Sequence, residues 1–435
     1  MPTKIDFIRG DTKRCLMAMA LPMIAAMFLN MTYNLVDSLW IGNLLGETAY
    51  AALTNSTPII LILTSVAMGA TNGISILLSQ AIGEKNQKRT ESLIATSLVV
   101  AIIFSLLVTV ALEISLPFIL IVLNTPKETY NMAYSYLAIY ILGYLPVYLY
   151  LYFTAVLRSF GNSMFQAVAM LVSTVLNAIL DPILIHFIGF QGAAIATLLS
   201  QGICLIFMIV YLKKKKLFSL HITWFDKAHV LPIIQKAVPS VIQQSIPAIS
   251  TTFLTALVSS YNVTVIAAYG VTGKLEIILF YPAMALNMVL TTIVGQCIGG
   301  QRVDRAKDYL KCGLKYGCGL LVMLSILVVA FSRQLSGLFV ESSDVADIVS
   351  VYFFIISIGY VLNTVTNSFL GVLNGFGKPE KSMLLMIFYY IIVRMPFAYL
   401  LSHLGFGLNG IWVAVLISHI CAAVASAIVT VRANQ

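Results

Sequence analysis

The 435 residues are 60% hydrophobic and 10% charged, with a mean hydropathy of +0.94 and a formal net charge of +9. Soluble globular chains carry nearer a quarter charged residues, so this chain lacks the polar surface to face water all round. The composition excludes an ordinary soluble domain, and the positive charge needs no nucleic acid once its distribution is seen.

The apolar residues come in long runs. Those at 93–112 and 195–212 approach the roughly 20 helical residues that cross a hydrocarbon core. A backbone in lipid must satisfy its own hydrogen bonds, so these runs are helices. They lack the short alternating segments of a β-barrel. Twelve spans are predicted, at 14–41, 50–80, 91–115, 130–156, 163–184, 190–212, 230–258, 264–295, 308–330, 347–372, 382–402 and 408–430. The N-terminal segment before 14 is polar, so the first span serves as its own insertion signal, with no cleaved leader expected. Gly42-Asn43, Gly161-Asn162 and Gly377-Lys378-Pro379 mark short loops. Pro22, Pro58, Pro146, Pro239, Pro247, Pro282 and Pro396 fall inside spans, where kinks are expected.

The one long polar connection, 213–229, opens on Lys213 to Lys216. It separates an N-terminal six-helix lobe (1–212) from a C-terminal six-helix lobe (230–435). With the N-terminus cytoplasmic, the inside collects Lys4, Arg9, Lys13, Arg14, Lys85, Lys88, Arg89, Arg158, Lys213 to Lys216, Lys227, Lys236, Arg302, Arg305, Lys307, Lys311, Lys315, Lys378, Lys381 and Arg432. The outside keeps only Lys127 and Arg333. The positive-inside rule therefore places both termini, and the linker, in the cytoplasm. The basic face meets anionic headgroups of the cell (plasma or inner) membrane.

The two halves repeat. QAIGEKN from Gln80 matches QCIGGQR from Gln296, AMGATN from Ala67 matches AMALNM from Ala283, and LRSFGNS from Leu157 matches LNGFGKP from Leu373, each 216 positions later. ALP ending at Pro22 matches AVP ending at Pro239, and GAAIAT from Gly192 matches GIWVAV from Gly410. Five matches in order at nearly constant offset indicate duplication. Six helices per half gives both copies the same orientation, a parallel repeat about an axis along the membrane normal. The fold expected is thus all-α, integral to the membrane, with twelve transmembrane helices in two six-helix bundles. Two pseudosymmetric bundles suit alternating access around a central cavity.

An ionisable residue within a span costs roughly 2.5–3.5 kcal/mol at the bilayer centre on insertion scales and so points to function. Asp37, Asp181, Lys274, Glu276 and Arg394 lie within spans, and Glu113 sits at the outer end of the third, an interfacial place. Asp37 and Asp181 both fall near the outer ends of their spans. Asn177 is four residues before Asp181 and on its face. Tyr33 and Asn34 precede Asp37, and Thr197 lies in the outer half of the sixth span. This oxygen-rich set suits a proton or a hard cation such as Na⁺. The alternative reading makes Asp181 a capping or pairing acid and Asp37 a solvated residue near the surface. Lys274, Glu276 and Arg394 read either as ion pairs or as part of a substrate cavity, with Tyr269, Phe280, Tyr281 and Met284 as aromatic and methionine lining.

There is no Walker motif: GFGKP at 375–379 ends in Pro. The five histidines are scattered, no GxSxG occurs, and the six cysteines make no CxxC pair. No enzyme and no cofactor beyond a coupling ion are expected.

ALP at 20–22, YNLVD at 33–37 leading to IG at 41–42, QAIG at 80–83, LRSFGN at 157–162 and LNAILDP at 176–182 together resemble the multidrug and toxic compound extrusion (MATE) family of ion-coupled antiporters, over essentially the whole chain. The likeness is to its prokaryotic, DNA-damage-inducible (DinF-like) and multidrug efflux branch. It implies two six-helix lobes around a V-shaped cavity, with organic cations or drugs exported in exchange for H⁺ or Na⁺. It also implies an N-lobe ion site at Asp37, Asn177 and Asp181, and a hinge in the first helix near Pro22. The chain is expected to work as a monomer. Acids found in the seventh and tenth helices of some members are missing: Gln243 and Gln244, and Asn363 and Asn367, stand there, which assigns coupling to the N-lobe. The rival within the wider superfamily is a lipid-linked oligosaccharide flippase, which needs several cationic residues for a pyrophosphate.

Overall fold

The structure is a computed structural model that describes residues 5–433; Lys4, assigned above to the basic face, lies outside the described residues. It is built of helices α1 (Thr12–Leu45), α2 (Glu47–Gly83), α3 (Gln87–Val122), α4 (Lys127–Leu142), α5 (Tyr144–Ser159), α6 (Met164–Ile188), α7 (Phe190–Lys215), α8 (Val230–Val258), α9 (Val263–Gly299), α10 (Val303–Gly337), α11 (Ser343–Gly375), α12 (Pro379–Met386), α13 (Met395–Leu401) and α14 (Gly407–Ala433).

Local chemistry sets the helix ends. Asp11, Asn86 and Asn262 accept the free amides of Arg14, Arg89 and Val265 at 2.7, 3.0 and 3.0 Å, capping α1, α3 and α9. Gly46 and Gly189, at φ 85° and 83°, make the reversals from α1 to α2 and from α6 to α7 that a residue with a side chain would strain.

Ten of the described helical stretches are long and apolar enough to cross a membrane, and the pair α4 and α5, bent by 50° at Gly143, supplies an eleventh. The sequence reading expected one helix at 130–156; Gly143 breaks it. The last stretch, Pro379–Ala433, is 55 residues, about 80 Å at 1.5 Å per residue, against a core of about 30 Å. Leu404 and Gly405 interrupt it with non-helical backbone, Gly405 at φ 93°. It therefore makes two spans, giving the twelve expected. The first of these two is not a plain helix: its turns widen to π geometry over Ile387–Arg394, and Arg394 at its end is buried, a geometry frequent at functional sites. Helix α1 runs unbroken through Pro22.

Each half has its own core. Leu63, Ile74, Tyr140, Tyr152 and Leu157 belong to the N-lobe core, and Val271, Leu279, Phe353, Tyr360 and Trp412 to the C-lobe core. A third cluster joins the lobes: Leu16, Met19, Met23 and Met27 of α1 pack on Leu286, Val289, Leu290 and Ile293 of α9. Beside it α2 lies against α8, where a Cβ on Gly73 would stand 2.6 Å from Ala237 Cα, and one on Gly69 would overlap Val241. These contacts all lie in the halves of the helices nearer the basic loops. The opposite halves are open: Leu61, Ile62 and Thr57 of α2 and Ile249, Thr251, Thr252 and Thr255 of α8 are exposed. The lobes thus meet at the basic end and part toward the other.

Candidate functional site

The N-lobe cluster forms where α1, α6 and α7 meet. Asp37 lies eight residues before the end of α1 and Asp181 seven before the end of α6, about 10–12 Å below the outer ends. Asp37 is 7% exposed, while Asp181 and Asn177 are fully buried. Both carboxyls are buried at this junction of α1 and α6. Asn177 Nδ2 donates to Asp181 Oδ1 at 3.2 Å. The Tyr33 hydroxyl meets Ser200 Oγ at 3.2 Å, tying α1 to α7. Tyr136 of α4 is buried nearby and stacked on Phe190, the first residue of α7, at 4.8 Å.

Four buried oxygens here have no hydrogen-bond partner: Asp37 Oδ1, Asp181 Oδ2, Asn177 Oδ1 and Thr197 Oγ1. An unsatisfied buried polar atom is costly and calls for an explanation. Together they are a hard-oxygen donor set, the kind that holds a proton or an alkali cation. Among the described residues no three His, Cys, Asp or Glu come together, so the donors do not suit a soft transition metal.

One expected member does not join. Asn34 is exposed and turns back on its own helix, donating to the Asn30 carbonyl at 2.9 Å and to Asn30 Oδ1 at 3.0 Å. Tyr33, a full turn before Asp37, shares its buried face; Asn34 is rotated out of it. Tyr136 and Ser200 had no signal in the local sequence, since each arrives from another helix.

The C-lobe holds a second polar nucleus. Glu276 Oε1 accepts from the Tyr360 hydroxyl at 2.8 Å and from the Tyr352 hydroxyl. Arg394, 6% exposed, donates through Nε to Ser418 Oγ at 2.9 Å and through Nη2 to Tyr389 at 3.1 Å and His419 Nε2 at 3.3 Å. Its guanidinium also lies 4.5 Å from the Tyr390 ring centroid. Among the described residues no ion pair joins Arg394 or Lys274 to Glu276, which corrects the ion-pair alternative. Lys274 is two residues from Glu276 and so points elsewhere; it is exposed, 5.3 Å from the Phe339 ring. Tyr269 stacks on Trp412 at 5.7 Å, and Phe280 meets Tyr360 edge to face at 5.6 Å. Met284 is half-buried on α9, and Tyr281 packs in the α1–α9 joint. His419, Tyr352 and Tyr360 were not anticipated.

At the positions where acids were missing, amides form a chain. Asn367 donates to Asn363 Oδ1 at 3.2 Å, Asn287 to Asn367 Oδ1 at 3.1 Å, and Asn374 to Asn287 Oδ1 at 3.5 Å. Gln243 is buried with Oε1 unpartnered, and Gln244 is half-buried. Glu113 is half-buried near the outer end of α3, with Oε1 unpartnered.

The MatE family model matches residues 22–183 and again 239–400, one copy in each lobe. The chain is 28% identical over 410 residues to a probable multidrug resistance protein, YpnP, of Bacillus subtilis, covering 91% of this chain and 90% of that one. It is 25% identical over 440 residues to a FAD transporter of Shewanella oneidensis, covering 98% and 96%. A solved structure described as the outward-facing conformation of a multidrug resistance MATE family transporter of the MOP superfamily superposes with a TM-score of 0.94 at 22% identity, covering 100% of this chain and 98% of that one.

Proposed function

Because this chain belongs to the MatE family of membrane transporters, we propose that it is a secondary-active multidrug exporter of the cell membrane, exchanging organic cations for H⁺ or Na⁺ by alternating access. The observation that carries the reading is the set of four partnerless buried oxygens on α1, α6 and α7. Asp37 lies on α1, which packs across the lobe boundary on α9, so filling the set links an ion to lobe geometry. The basic end, with both termini, faces the cytoplasm, and the cleft opens to the outside.

Asp37 and Asp181 take the coupling cation while the cleft is open. Its arrival neutralises two facing carboxyls that otherwise repel, and draws α1 toward α6. Helix α1 yields at Pro22, where the i−4 hydrogen bond is absent. Cargo held against the α1 face is thereby released. The exposed threonines Thr57, Thr251, Thr252 and Thr255 give the cleft wall polar character suited to an amphipathic cation.

The flippase alternative is not favoured. Arg394 is committed to Ser418, Tyr389 and His419, and Lys274 alone is no pyrophosphate cradle. A relative's name as a FAD transporter favours one second reading, a flat anionic cargo, for which Lys274 is the exposed cation in the cleft half of α9.

The test is dye transport. Purified protein in liposomes, given ethidium and then imposed Na⁺ and pH gradients in turn, moves dye with one gradient on this reading. Dye that follows neither gradient refutes the antiporter.

A further inference from the structure

The duplicated motif QAIG/QCIG serves no ion or cargo site described above, yet the structure gives it a reciprocal arrangement. Gln80 Nε2, in the N-lobe, donates to the Gly375 carbonyl of the C-lobe at 3.0 Å. Gln296 Nε2, in the C-lobe, donates to the Ser159 carbonyl of the N-lobe at 2.6 Å. Both donors and both acceptors are related by the same 216-position repeat. The glycines of the motif reciprocate as well. A Cβ on Gly83 would overlap the Gln296 carbonyl, and one on Gly299 would overlap the Gln80 carbonyl. The pseudo-twofold axis therefore passes between the two motifs, and the absence of a side chain at each glycine lets the partner backbone in.

The seam is tight. Ser159 and Gly375 are fully enclosed, Gln296 is 8% exposed, and Ser75 Oγ bridges Ser159 Oγ at 3.0 Å and Thr292 Oγ1 at 3.5 Å. Beneath it, two turns from Gln80 along α2, Asn72 is buried with both side-chain atoms unpartnered. A cleft that opens to the basic side must part α2 from α9 here, breaking both hydrogen bonds together.

We propose that Gln80, Gly83, Gln296 and Gly299 form a symmetric latch that seals the basic end while the opposite end is open, and that each lobe supplies one donor and one acceptor so that neither half releases alone. The proposal rests on the alternating-access reading above. Its test needs neither cargo nor coupling ion, so failure of the latch and failure of the antiporter are separable.

In a chain freed of its six cysteines, two reporters are placed singly: Asn72→Cys under the latch and Thr252→Cys on the open half of α8. Each is labelled with a membrane-impermeant maleimide in vesicles of both orientations. With the latch intact, Asn72→Cys labels slowly from the basic face and Thr252→Cys quickly from the other. Gln80→Ala with Gln296→Ala removes both cross-lobe hydrogen bonds, so labelling of Asn72→Cys from the basic face rises about tenfold or more, while labelling of Thr252→Cys falls. Gly83→Ala with Gly299→Ala wedges the same seam without touching a donor and gives the same opposed changes. Unchanged rates at both reporters, or rates that rise together as in a chain merely loosened, overturn the proposal.

Discussion

Asn177 Nδ2 donates to Asp181 Oδ1 at 3.2 Å across one turn of α6, and this leaves Asn177 Oδ1 and Asp181 Oδ2 both buried and unpartnered. The amide orients the carboxylate and spends only its donor in doing so. Two buried acceptors remain free beside α1.

Removing that orienting bond should weaken ion binding without removing a charge. Asn177→Ala is expected to raise the coupling-ion concentration for half-maximal transport by about tenfold, the worth of one hydrogen bond to a charged group. Ion titration of dye efflux reads this; an unchanged midpoint places the ion elsewhere.

Thr197 and Asn34 make a paired test of membership. Thr197→Val keeps volume but deletes the partnerless Oγ1, and should also shift the ion midpoint. Asn34→Ala should leave it in place, because the Asn34 amide serves only Asn30. Equal effects in the two variants would contradict the assignment of faces on α1.

Gly192 faces the α6 backbone so closely that a Cβ would overlap the Leu184 carbonyl. Gly192→Ala should force α7 from α6, costing about 1–3 kcal/mol as overpacking does. Since these helices carry Thr197 and Asp181, both thermal stability in detergent and ion affinity should fall together. A fall in neither shows that the helix pair has slack there.

Arg394 is a structural prediction of a different kind. Arg394→Leu leaves Tyr389, Ser418 and His419 without their shared partner. The expected loss is about 1–3 kcal/mol, the cost of leaving buried hydrogen-bonding groups unsatisfied, read as a lowered unfolding midpoint. Glu276→Gln, which can still accept from Tyr352 and Tyr360, should cost far less stability. Similar losses for both would mean that the two groups act as one pair.

Much of this was legible in the sequence because it is local or periodic. Span positions follow from hydropathy, the lobes from a constant repeat offset, and the union of Asp37 with Asp181 from their equal depth. Asn177 followed from its four-residue spacing. The bend at Gly143 was not legible, since glycines are common inside spans and only packing against Leu198 decides that this one turns. The widened turns at Ile387–Arg394 have no composition signal either. Tyr352, Tyr360 and His419 come to Glu276 and Arg394 from distant helices, so no local spacing announces them, and the ion pair read from charge alone gave way to neutral donors already in place. Asn34 failed for the opposite reason: three and four residues before Asp37 are neighbouring faces, and burial chose only Tyr33.

The most direct measurement compares gradient-driven ethidium efflux in wild type and in Asp37→Asn, at matched amounts of inserted protein. Loss of all gradient-coupled efflux in Asp37→Asn, with dye still bound, is the result predicted here. Coupled efflux at the wild-type rate in that variant would contradict the N-lobe carboxylates as the coupling site.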